Sequence, residues 1–324
     1  MGHDLCPNGR VGHNAAQAMR FQIDQYPRIS VITPSFNQGA YLGETLASVA
    51  SQHYPGLELI VMDGGSTDDS VEVIKSFAGA VTYWESQPDN GQSHAINKGF
   101  AKATGDIVCW LNSDDVFLPG ALNAVAHAFN SHPDWEWVSA PSLKFGDGLH
   151  EVGGLYELPH DRVEWLRFCP LAQPSTFWKR SLYDRLGGLD ESFHFALDYE
   201  YWVRFVFGGA SVHFMDRPLS AYRLHDVSKT ISSQEKFRAE EERLREKYWD
   251  KLTRPEQRRL ARLVSQSEDV LELTRSVALM QAKQWDDARK GVLSVLRRSP
   301  SMIFTKAGAA SLYRVLAKKP RYNE

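Results

Sequence analysis

The sequence lacks the features that define several common classes of protein. Its 324 residues include only three cysteines, Cys6, Cys109 and Cys169, which are too few and too scattered for a disulfide framework or a zinc site. No apolar run approaches the roughly 20 residues that a membrane-spanning helix requires. The N-terminus shows no basic and apolar signal-peptide pattern. We therefore expect a cytoplasmic protein without structural disulfides.

A strong charge imbalance is also missing. The 37 Lys and Arg and the 40 Asp and Glu leave a net charge of −3, which gives no reason to expect a nucleic-acid partner. With 43% hydrophobic and 24% charged residues, the composition is that of an ordinary globular protein. The length allows one large domain or a domain with an appendage.

The glycine-rich loop of ordinary dinucleotide-binding domains is absent as well. That loop, G-x-G-x-x-G, would follow the first predicted strand, but residues 33–39 read Thr-Pro-Ser-Phe-Asn-Gln-Gly. A proline stands where the first glycine should be. The sequence therefore argues against an NAD-binding domain of this type.

The sequence does contain strands that alternate with helices. Apolar runs predict strands at about residues 28–33, 57–62, 81–84 and 107–111. Helices are predicted at about residues 39–52, 69–77, 89–103 and 119–130. This alternation predicts an α/β fold with a mostly parallel sheet covered on both faces. Residues 1–26 show no periodicity and are expected to form a loose lead-in.

The stretch from Asp106 to Asp115 joins one of these strands to a cluster of polar side chains. It reads Asp-Ile-Val-Cys-Trp-Leu-Asn-Ser-Asp-Asp. Ligands of open α/β sheets bind at the carboxyl ends of the strands, and carboxylate and amide oxygens suit Mg²⁺ or Mn²⁺ shared with substrate phosphates. The same residue types favour an Asx turn or a helix N-cap, so this stretch alone leaves both interpretations open.

Eight sequence blocks follow one another over about residues 28–230. They are 32–37 (Ile-Thr-Pro-Ser-Phe-Asn), 62–68 (Met-Asp-Gly-Gly-Ser-Thr-Asp), 87–99, 111–115 (Leu-Asn-Ser-Asp-Asp), 173–178, 187–190, 196–202 and 219–225. In order and spacing they resemble the family 2 glycosyltransferases with the GT-A fold. The resemblance implies a Rossmann-like, mostly parallel sheet flanked by helices in a catalytic domain of residues 27–230. Residues 231–324 would form a C-terminal α-helical extension.

The resemblance also implies an activity. Such an enzyme moves a single sugar, with inversion, from a nucleotide-diphosphate sugar to a hydroxyl of a saccharide or lipid-linked glycan. A UDP-sugar is the preferred donor, and the setting is cell-surface polysaccharide or glycolipid biosynthesis. The Gln-x-x-Arg-Trp block of the processive members is absent, which favours addition of one or a few sugars.

A divalent metal, Mn²⁺ or Mg²⁺, is implied as cofactor, where it would bridge the phosphates as a Lewis acid. Asp114 is the expected ligand, Asp115 is a further candidate, and His225 matches a histidine that often completes the site. Asn112 stands at the first acidic position of the D-x-D pattern, where it keeps a carbonyl oxygen but brings no charge. A lone histidine is also common in loops and cores, so the role of His225 is left open.

The resemblance places nucleotide-sugar binding at the strand ends. Asp63 is expected to accept a hydrogen bond from the base, although an Asx turn before Gly64 is an alternative. Ser66 and Thr67 are expected to cap a helix rather than to bind. The other expected binding residues are Pro34, Ser35, Asn37, His94, Lys98, Asn112, Ser113 and Asp115. His94 departs from the acidic residue that is common at its position.

Asp198 is the expected general base, with Glu200 in reserve. Its carboxylate would accept the proton of the acceptor hydroxyl as the oxygen attacks the anomeric carbon. The alternative makes Asp198 a helix N-cap and Glu200 a first-turn acid.

The end of the chain is basic. From residue 286 to residue 324 it carries nine Lys or Arg and three Asp or Glu, a local charge of +6. This predicts either peripheral contact with an anionic membrane surface or a helical cap on the catalytic domain. A homo-oligomer is left open. The competing functions are a nucleotidyltransferase, which usually has a basic phosphate loop that residues 34–39 lack, and a catalytically silent glycosyltransferase-like binding module.

Overall fold

The computed structural model describes residues 26–146, 151–153, 158–224 and 233–301. Most of the predicted lead-in, the last part of the basic C-terminal segment and His225 lie outside the described residues. Two compact units can be distinguished. The first contains the described residues up to Leu158 together with Pro170–Leu244, and the second contains Pro159–Cys169 and the described residues from Arg245 onward.

A seven-stranded, mostly parallel sheet forms the centre of the first unit. Its strands lie in the order β10-β6-β9-β4-β1-β2-β3. Their bounds are β1 Ile29–Ser35, β2 Leu57–Asp63, β3 Tyr83–Ser86, β4 Ile107–Trp110, β6 Trp137–Ser139, β9 Phe177–Lys179 and β10 Val212–Phe214. Neighbouring strands pair in parallel except β9, which runs antiparallel to both β4 and β6. The predicted α/β class is confirmed.

Helices follow the parallel strands as the sequence predicts. In the first unit they are α1 Gly39–Ala50, α2 Ser70–Ser76, α3 Gln92–Lys102, α4 Ala121–Ser131, α6 Arg180–Leu186 and α7 Leu197–Phe207. β1 is buried along its whole length, and β4 is buried likewise, because a parallel sheet is covered on both faces. The helix predicted from residue 89 begins only at Gln92, because Gly91 has a φ of 106° and Asp89 accepts a hydrogen bond from its N–H at 2.7 Å. The strand predicted at 81–84 lies at Tyr83–Ser86.

A second sheet of four strands was not predicted. Its order is β5-β11-β7-β8, with β5 Val116–Phe117, β7 Ser142–Gly146, β8 Glu151–Gly153 and β11 Ser220–Leu224. β5 directly follows the polar stretch that ends at Asp115. The helix N-cap considered for that stretch is therefore wrong, although a turn does form there, in which the Asp115 N–H donates to the carbonyl of Asn112 at 3.1 Å.

Buried indole rings fill the core between the large sheet and α7. Trp110 stacks on Trp202 with ring centroids 5.5 Å apart, and Trp178 meets both rings edge-on. Trp137 packs against Trp202 on the other side. All four are essentially inaccessible to solvent, so the body of α7 is anchored to β4, β6 and β9.

Helix α8, Gln234–Trp249, runs from the first unit into the second. The second unit also contains α5 Arg162–Trp165, α9 Arg254–Gln281 and α10 Trp285–Arg298. Leu273, Met280, Val292 and Val295 form the core between α9 and α10. Across the described ranges, no helix is long and apolar enough to cross a membrane.

Candidate active site

The polar loops identified in the sequence follow neighbouring strands at one edge of the large sheet. Ser35, Asp63 and Ser86 are register partners at the ends of β1, β2 and β3. On the other side of β1, Trp110 at the end of β4 pairs with Ile32. Because these strands are parallel, the loops after them emerge at the same edge, which is where open α/β sheets bind ligands.

Asp63 organises the loop between β2 and α2. Its carboxylate accepts hydrogen bonds from the backbone N–H of Gly65 at 3.1 Å and of Ser66 at 2.9 Å. The hydroxyls of Ser66 and Ser86 donate to it at 2.5 and 2.6 Å. The Asx-type turn considered for Asp63 is thus present, and the carboxylate also ties β3 to the turn.

Asn37 joins the loop after β1 to the loop after β2. Its backbone N–H donates to the Ser66 hydroxyl at 2.8 Å, and its Oδ1 accepts from the Thr67 N–H at 2.9 Å. The backbone of Asn37 has a φ of 52°, in the left-handed region that Asn tolerates better than most residues. Helix α2 begins only at Ser70, so Ser66 and Thr67 connect the two loops and do not cap it.

An exposed aromatic ring lies beside this double loop. Phe36 is 61% exposed, which is unusual for a phenylalanine next to a buried strand. A Cβ added to Gly64 would approach the Phe36 ring to 3.3 Å and the Asp89 carboxylate to 2.9 Å, so glycine leaves room there. On the buried side, the Ser35 hydroxyl has no hydrogen-bond partner in the part of the chain that the structure describes. Phe36 was not among the predicted site residues, although an aromatic between polar loop residues could have indicated it.

The loop after β4 is held by a network of amides. The Oδ1 of Asn112 accepts from the Gln92 side chain at 2.8 Å. The Nδ2 of Asn112 donates to Asp115 at 3.2 Å and to Gln173 at 3.1 Å. Gln173 in turn donates to the carbonyl of Trp110 at 2.9 Å. Gln92 and Gln173 lie within the sequence blocks, but the sequence alone assigns them no role.

Asp115 is committed to internal hydrogen bonds. It is buried, and its Oδ1 accepts from the Arg223 backbone N–H at 3.1 Å while its Oδ2 accepts from Asn112. Burial raises the pKa of the Asp115 carboxyl, and the neighbouring Asp114 adds to the rise. The carbonyl of Asp115 also accepts from Thr45 at 2.7 Å. These contacts make Asp115 a residue that fixes the loop.

Asp114 is half-buried at the rim, and its backbone is fixed by Arg223. The Arg223 Nε donates to the Asp114 carbonyl at 3.2 Å, and its Nη2 donates to Glu44 at 2.5 Å. The guanidinium lies 4.3 Å from the ring centroid of Phe145 and 5.0 Å from that of Tyr41. Arg223 therefore connects the Asp114 loop to α1 and to β7.

The predicted metal site would draw its protein ligands from the loop after β4 and from His225. The described residues hold no group of three or more His, Cys, Asp or Glu side chains that could bind a metal ion. His225 lies outside them, one position after β11 ends. Both oxygens of Asp115 accept internal hydrogen bonds, and Asp114 lies half-buried at the rim of the same loop. Such a donor set suits an ion that is also held by substrate phosphates.

Asp198 and Glu200 lie in the first turn of α7 in different surroundings. Asp198 is half-buried, and its Oδ1 accepts from the N–H of Tyr199 at 2.8 Å. The N-cap position belongs to Ala196, so the alternative that made Asp198 the cap is wrong. Glu200 is fully buried and forms an ion pair with Arg204.

Helix α3 connects the loop after β4 to the segment that precedes α7. Gln92 contacts Asn112, and the next residue, Ser93, donates to the carbonyl of Phe193 at 3.0 Å. The first turn of α3 therefore contacts both the Asn112 loop and the segment leading to Asp198.

The remaining predicted residues are placed as follows. His94 accepts the Asn90 N–H through its Nδ1 at 3.0 Å, and Ser113 is buried. Lys98 pairs with Glu85 on β3, and this pairing lowers the pKa of the Glu85 carboxyl. The ammonium of Lys98 is thus engaged within the protein.

The amino-acid sequence is similar to those of known glycosyltransferases. The family model described as glycosyl transferase family 2 matches residues 30–147. An uncharacterized glycosyltransferase of Mycobacterium tuberculosis is 35% identical over 184 residues, which cover 55% of this chain and 68% of the relative.

Solved structures share the fold at low sequence identity. TarS of S. aureus in complex with UDP has a TM-score of 0.55 at 17% identity, over 90% of this chain and 87% of that one. The mannosyltransferase PcManGT of Pyrobaculum calidifontis, solved with GDP-Man and Mn²⁺, has a TM-score of 0.53 at 19% identity, over 95% and 96% of the two chains. The predicted GT-A fold is confirmed.

Proposed function

The chain belongs to the family 2 glycosyltransferases, and from this premise we propose that it transfers one hexosyl unit from a UDP-sugar to a hydroxyl of a saccharide or lipid-linked glycan, with inversion. The observation that carries the proposal is the row of strand ends formed by Ser35, Asp63 and Ser86, with the Asp114 loop after the adjacent strand. This row supports a nucleotide bound along the sheet edge with its diphosphate toward Asp114.

The base and ribose belong, in this proposal, on the double loop after β1 and β2. The exposed ring of Phe36 offers a face for stacking against the base, and Asn37 and Asp63 fix the loops around it. The hydroxyl of Ser35, beside Pro34, has no hydrogen-bond partner among the described residues and is a donor or acceptor available at the same strand end. His94 and Ser113 stay candidates for contact with the sugar or phosphates. Lys98 is a weaker candidate because Glu85 engages it.

Asp198 acts as the general base. The acceptor hydroxyl gives its proton to the Asp198 carboxylate while its oxygen forms a bond to the anomeric carbon. The bond from that carbon to the diphosphate oxygen breaks on the opposite face, so the stereocentre is inverted and UDP leaves. Positioned base catalysis of this kind contributes about 10²–10⁴-fold to the rate.

A divalent cation, Mn²⁺ or Mg²⁺, would be held by Asp114 and the donor phosphates, with His225 as a further protein ligand, and it would offset the charge on the leaving diphosphate. The buried Asp115 and Asn112 act on it indirectly, by fixing the Asp114 backbone. PcManGT, whose fold is similar, was solved with Mn²⁺.

The biological setting that we propose is the assembly of a cell-surface polysaccharide or glycolipid, as the family resemblance suggests. A cytoplasmic enzyme would meet a lipid-linked acceptor at the membrane surface, and the basic residues from 286 onward are suited to anionic headgroups. Flotation with vesicles that contain anionic lipid, compared with neutral vesicles, tests this contact.

The experiment that tests the donor site is thermal unfolding with UDP, GDP or dTDP, with and without Mn²⁺. A ligand of the native state stabilises it by about 2.7 kcal/mol at a hundred times its dissociation constant. We expect UDP with Mn²⁺ to give the largest rise in Tm and Asp114→Asn to abolish the part that depends on Mn²⁺. Asp134→Asn, at an exposed position, is the matched control.

Release of UDP from UDP-sugars, with and without saccharide acceptors, then tests catalysis. A protein that binds UDP but releases none from any donor would be a silent module. Stabilisation by GDP in place of UDP would overturn the donor preference, and stabilisation by no nucleotide would overturn the donor site.

A further inference from the structure

One face of helix α8 packs against the segment that leads into α7. The residues of this face that contact the segment are Lys236, Phe237, Glu240 and Arg243. The Phe237 ring lies 5.7 Å from that of Phe195, and the Arg243 guanidinium lies 4.0 Å from the centroid of Phe193. All of these residues belong to the compact unit that contains Asp198.

The carboxylate of Glu240 is the centre of this contact. It accepts hydrogen bonds from three consecutive backbone N–H groups, those of His194, Phe195 and Ala196, each at 2.8 Å. Ala196 is the N-cap of α7, and its side chain has no oxygen that could accept from the first turn. These three N–H groups lie just before the first helical residue, Leu197, and an anion is favoured at this end of a helix. Glu240 supplies the anion from another helix.

The same segment is also held by α3. Asn97 accepts from the Leu189 N–H at 2.8 Å and donates to the Leu189 carbonyl at 3.0 Å. Ser93 donates to the carbonyl of Phe193. The segment is thus fixed by hydrogen bonds from both α3 and α8, and it ends two residues before Asp198.

We propose that Glu240 is a positioning residue for sugar transfer, which fixes the first turn of α7 and so the direction of the Asp198 carboxylate. This inference rests on the proposed function, in which Asp198 receives the proton of the acceptor hydroxyl. The remainder of α7 is anchored independently, since Tyr201, Trp202 and Phe205 are fully buried in the core. Loss of Glu240 therefore loosens the first turn and leaves the body of the helix in place.

Such loosening lowers kcat. A displacement of about 1 Å in a reacting group can reduce the rate by up to about 100-fold. The loops after β1 and β2, where we propose that the nucleotide binds, have no hydrogen bond to Glu240 in the described residues. The loss of Glu240 therefore leaves donor binding unaffected.

The test compares Glu240→Gln with wild type, because Gln keeps the volume and one acceptor oxygen but loses the charge and the second acceptor. We expect kcat to fall by about 10- to 100-fold. The KM for the donor and the rise in Tm caused by UDP should stay within about twofold of wild type. Glu242→Gln, at an exposed position on the same helix, is the matched control and should leave kcat unchanged.

Asp198→Asn and the double variant separate this inference from the proposed function. If Asp198→Asn keeps the wild-type kcat, the base assignment fails, and the inference fails with it. If Asp198→Asn lowers kcat, Glu240→Gln should cause no further loss in that background, because Glu240 acts through Asp198. An unchanged kcat in Glu240→Gln, an equal loss in both backgrounds, or a loss of UDP binding together with kcat would each overturn the positioning role.

Discussion

Gln92 donates a hydrogen bond to the Oδ1 of Asn112 at 2.8 Å, and this contact orients the amide of Asn112. With its oxygen occupied by Gln92, Asn112 directs its Nδ2 to Asp115 and Gln173. The substitution of Asn for the acid that is usual at this position is therefore compatible with its surroundings. A carboxylate could not donate to the buried Asp115.

This hydrogen bond predicts that Asn112→Asp, which creates the usual D-x-D spacing, lowers the stability of the protein. The change removes the donor to Asp115 and places a second carboxylate beside a buried one. Loss of a partner by a buried polar group costs about 1–3 kcal/mol, and more for a charge. We expect a lower free energy of unfolding in urea and weaker Mn²⁺-dependent binding of UDP. Asn130→Asp, at an exposed position, is the control, and tighter metal-dependent binding in Asn112→Asp would contradict the assignment.

Helix α3, which carries Gln92, approaches β1 closely at Gly99. A Cβ added to Gly99 would lie 2.4 Å from the Cγ2 of Ile32, a buried residue of β1. Gly99→Ala should therefore displace α3 from the sheet and destabilise the fold by about 1–3 kcal/mol, the usual cost of overpacking a core. Gly79→Ala, which meets no atom within 4 Å, is the matched control. Equal Tm values for the two variants would contradict this account.

The strands that carry the site could be predicted from the sequence because they are continuous buried runs. β1, β2 and β4 are buried along all or nearly all of their lengths, and each is followed by the polar residues of a strand end. The small second sheet could not be predicted in the same way. β5 has only two residues, β11 is only partly buried, and they pair across about a hundred residues, so no local period identifies them.

The contacts that orient the site residues were not predictable for a related reason. Gln173 reaches Asn112 across 61 positions, and Arg223 reaches the Asp114 carbonyl across 109 positions. Glu240 lies in a segment whose composition indicates a solvated helix, and nothing in its local sequence marks the three N–H groups that it accepts. Local patterns predicted the strands and helices, whereas these long-range hydrogen bonds depend on the tertiary fold.

Glu58 lies near the start of β2, at the strand end away from the site. We expect it to make the stability of the fold depend on pH. Burial alone would raise its pKa, but hydrogen bonds from Ser30 and Thr104 outweigh burial, and the pKa is lowered from the ordinary value of 4.5. A carboxyl whose pKa is lower in the folded state stabilises the fold above its unfolded pKa, and this stabilisation is lost as the pH falls through the folded value. Glu58→Gln should be less stable than wild type at pH 7, and the difference should shrink below about pH 4.5. Urea unfolding from pH 7 to pH 3 measures it, and a constant difference over this range would contradict the prediction.

The exposed position of Phe36 predicts that its removal weakens UDP binding without lowering the stability of the fold. Because its side chain is 61% exposed, Phe36→Ala should leave Tm nearly unchanged in the absence of nucleotide. Stacking of a base on an aromatic ring is worth about 1–3 kcal/mol, so the Kd for UDP should rise by about 5- to 150-fold. Calorimetric titration with UDP measures this, and Leu271→Ala, at another exposed apolar position, is the control. An unchanged Kd would exclude stacking on Phe36.

Arg223 predicts a loss of binding that depends on the metal. Arg223→Lys keeps a positive charge near Glu44 but removes the Nε donor to the Asp114 carbonyl and the planar group between Tyr41 and Phe145. We expect the Kd for UDP in the presence of Mn²⁺ to rise about tenfold, a loss of about 1.4 kcal/mol, because Asp114 is no longer held in one position. The Kd without metal should be unchanged, since the hydrogen bonds that tie the loops of Asn37 and Asp63 do not involve Arg223.

Arg217→Lys, which affects an exposed contact to Pro119, is the control. If Arg223→Lys weakened binding equally with and without Mn²⁺, Arg223 would act on the nucleotide directly and not through Asp114.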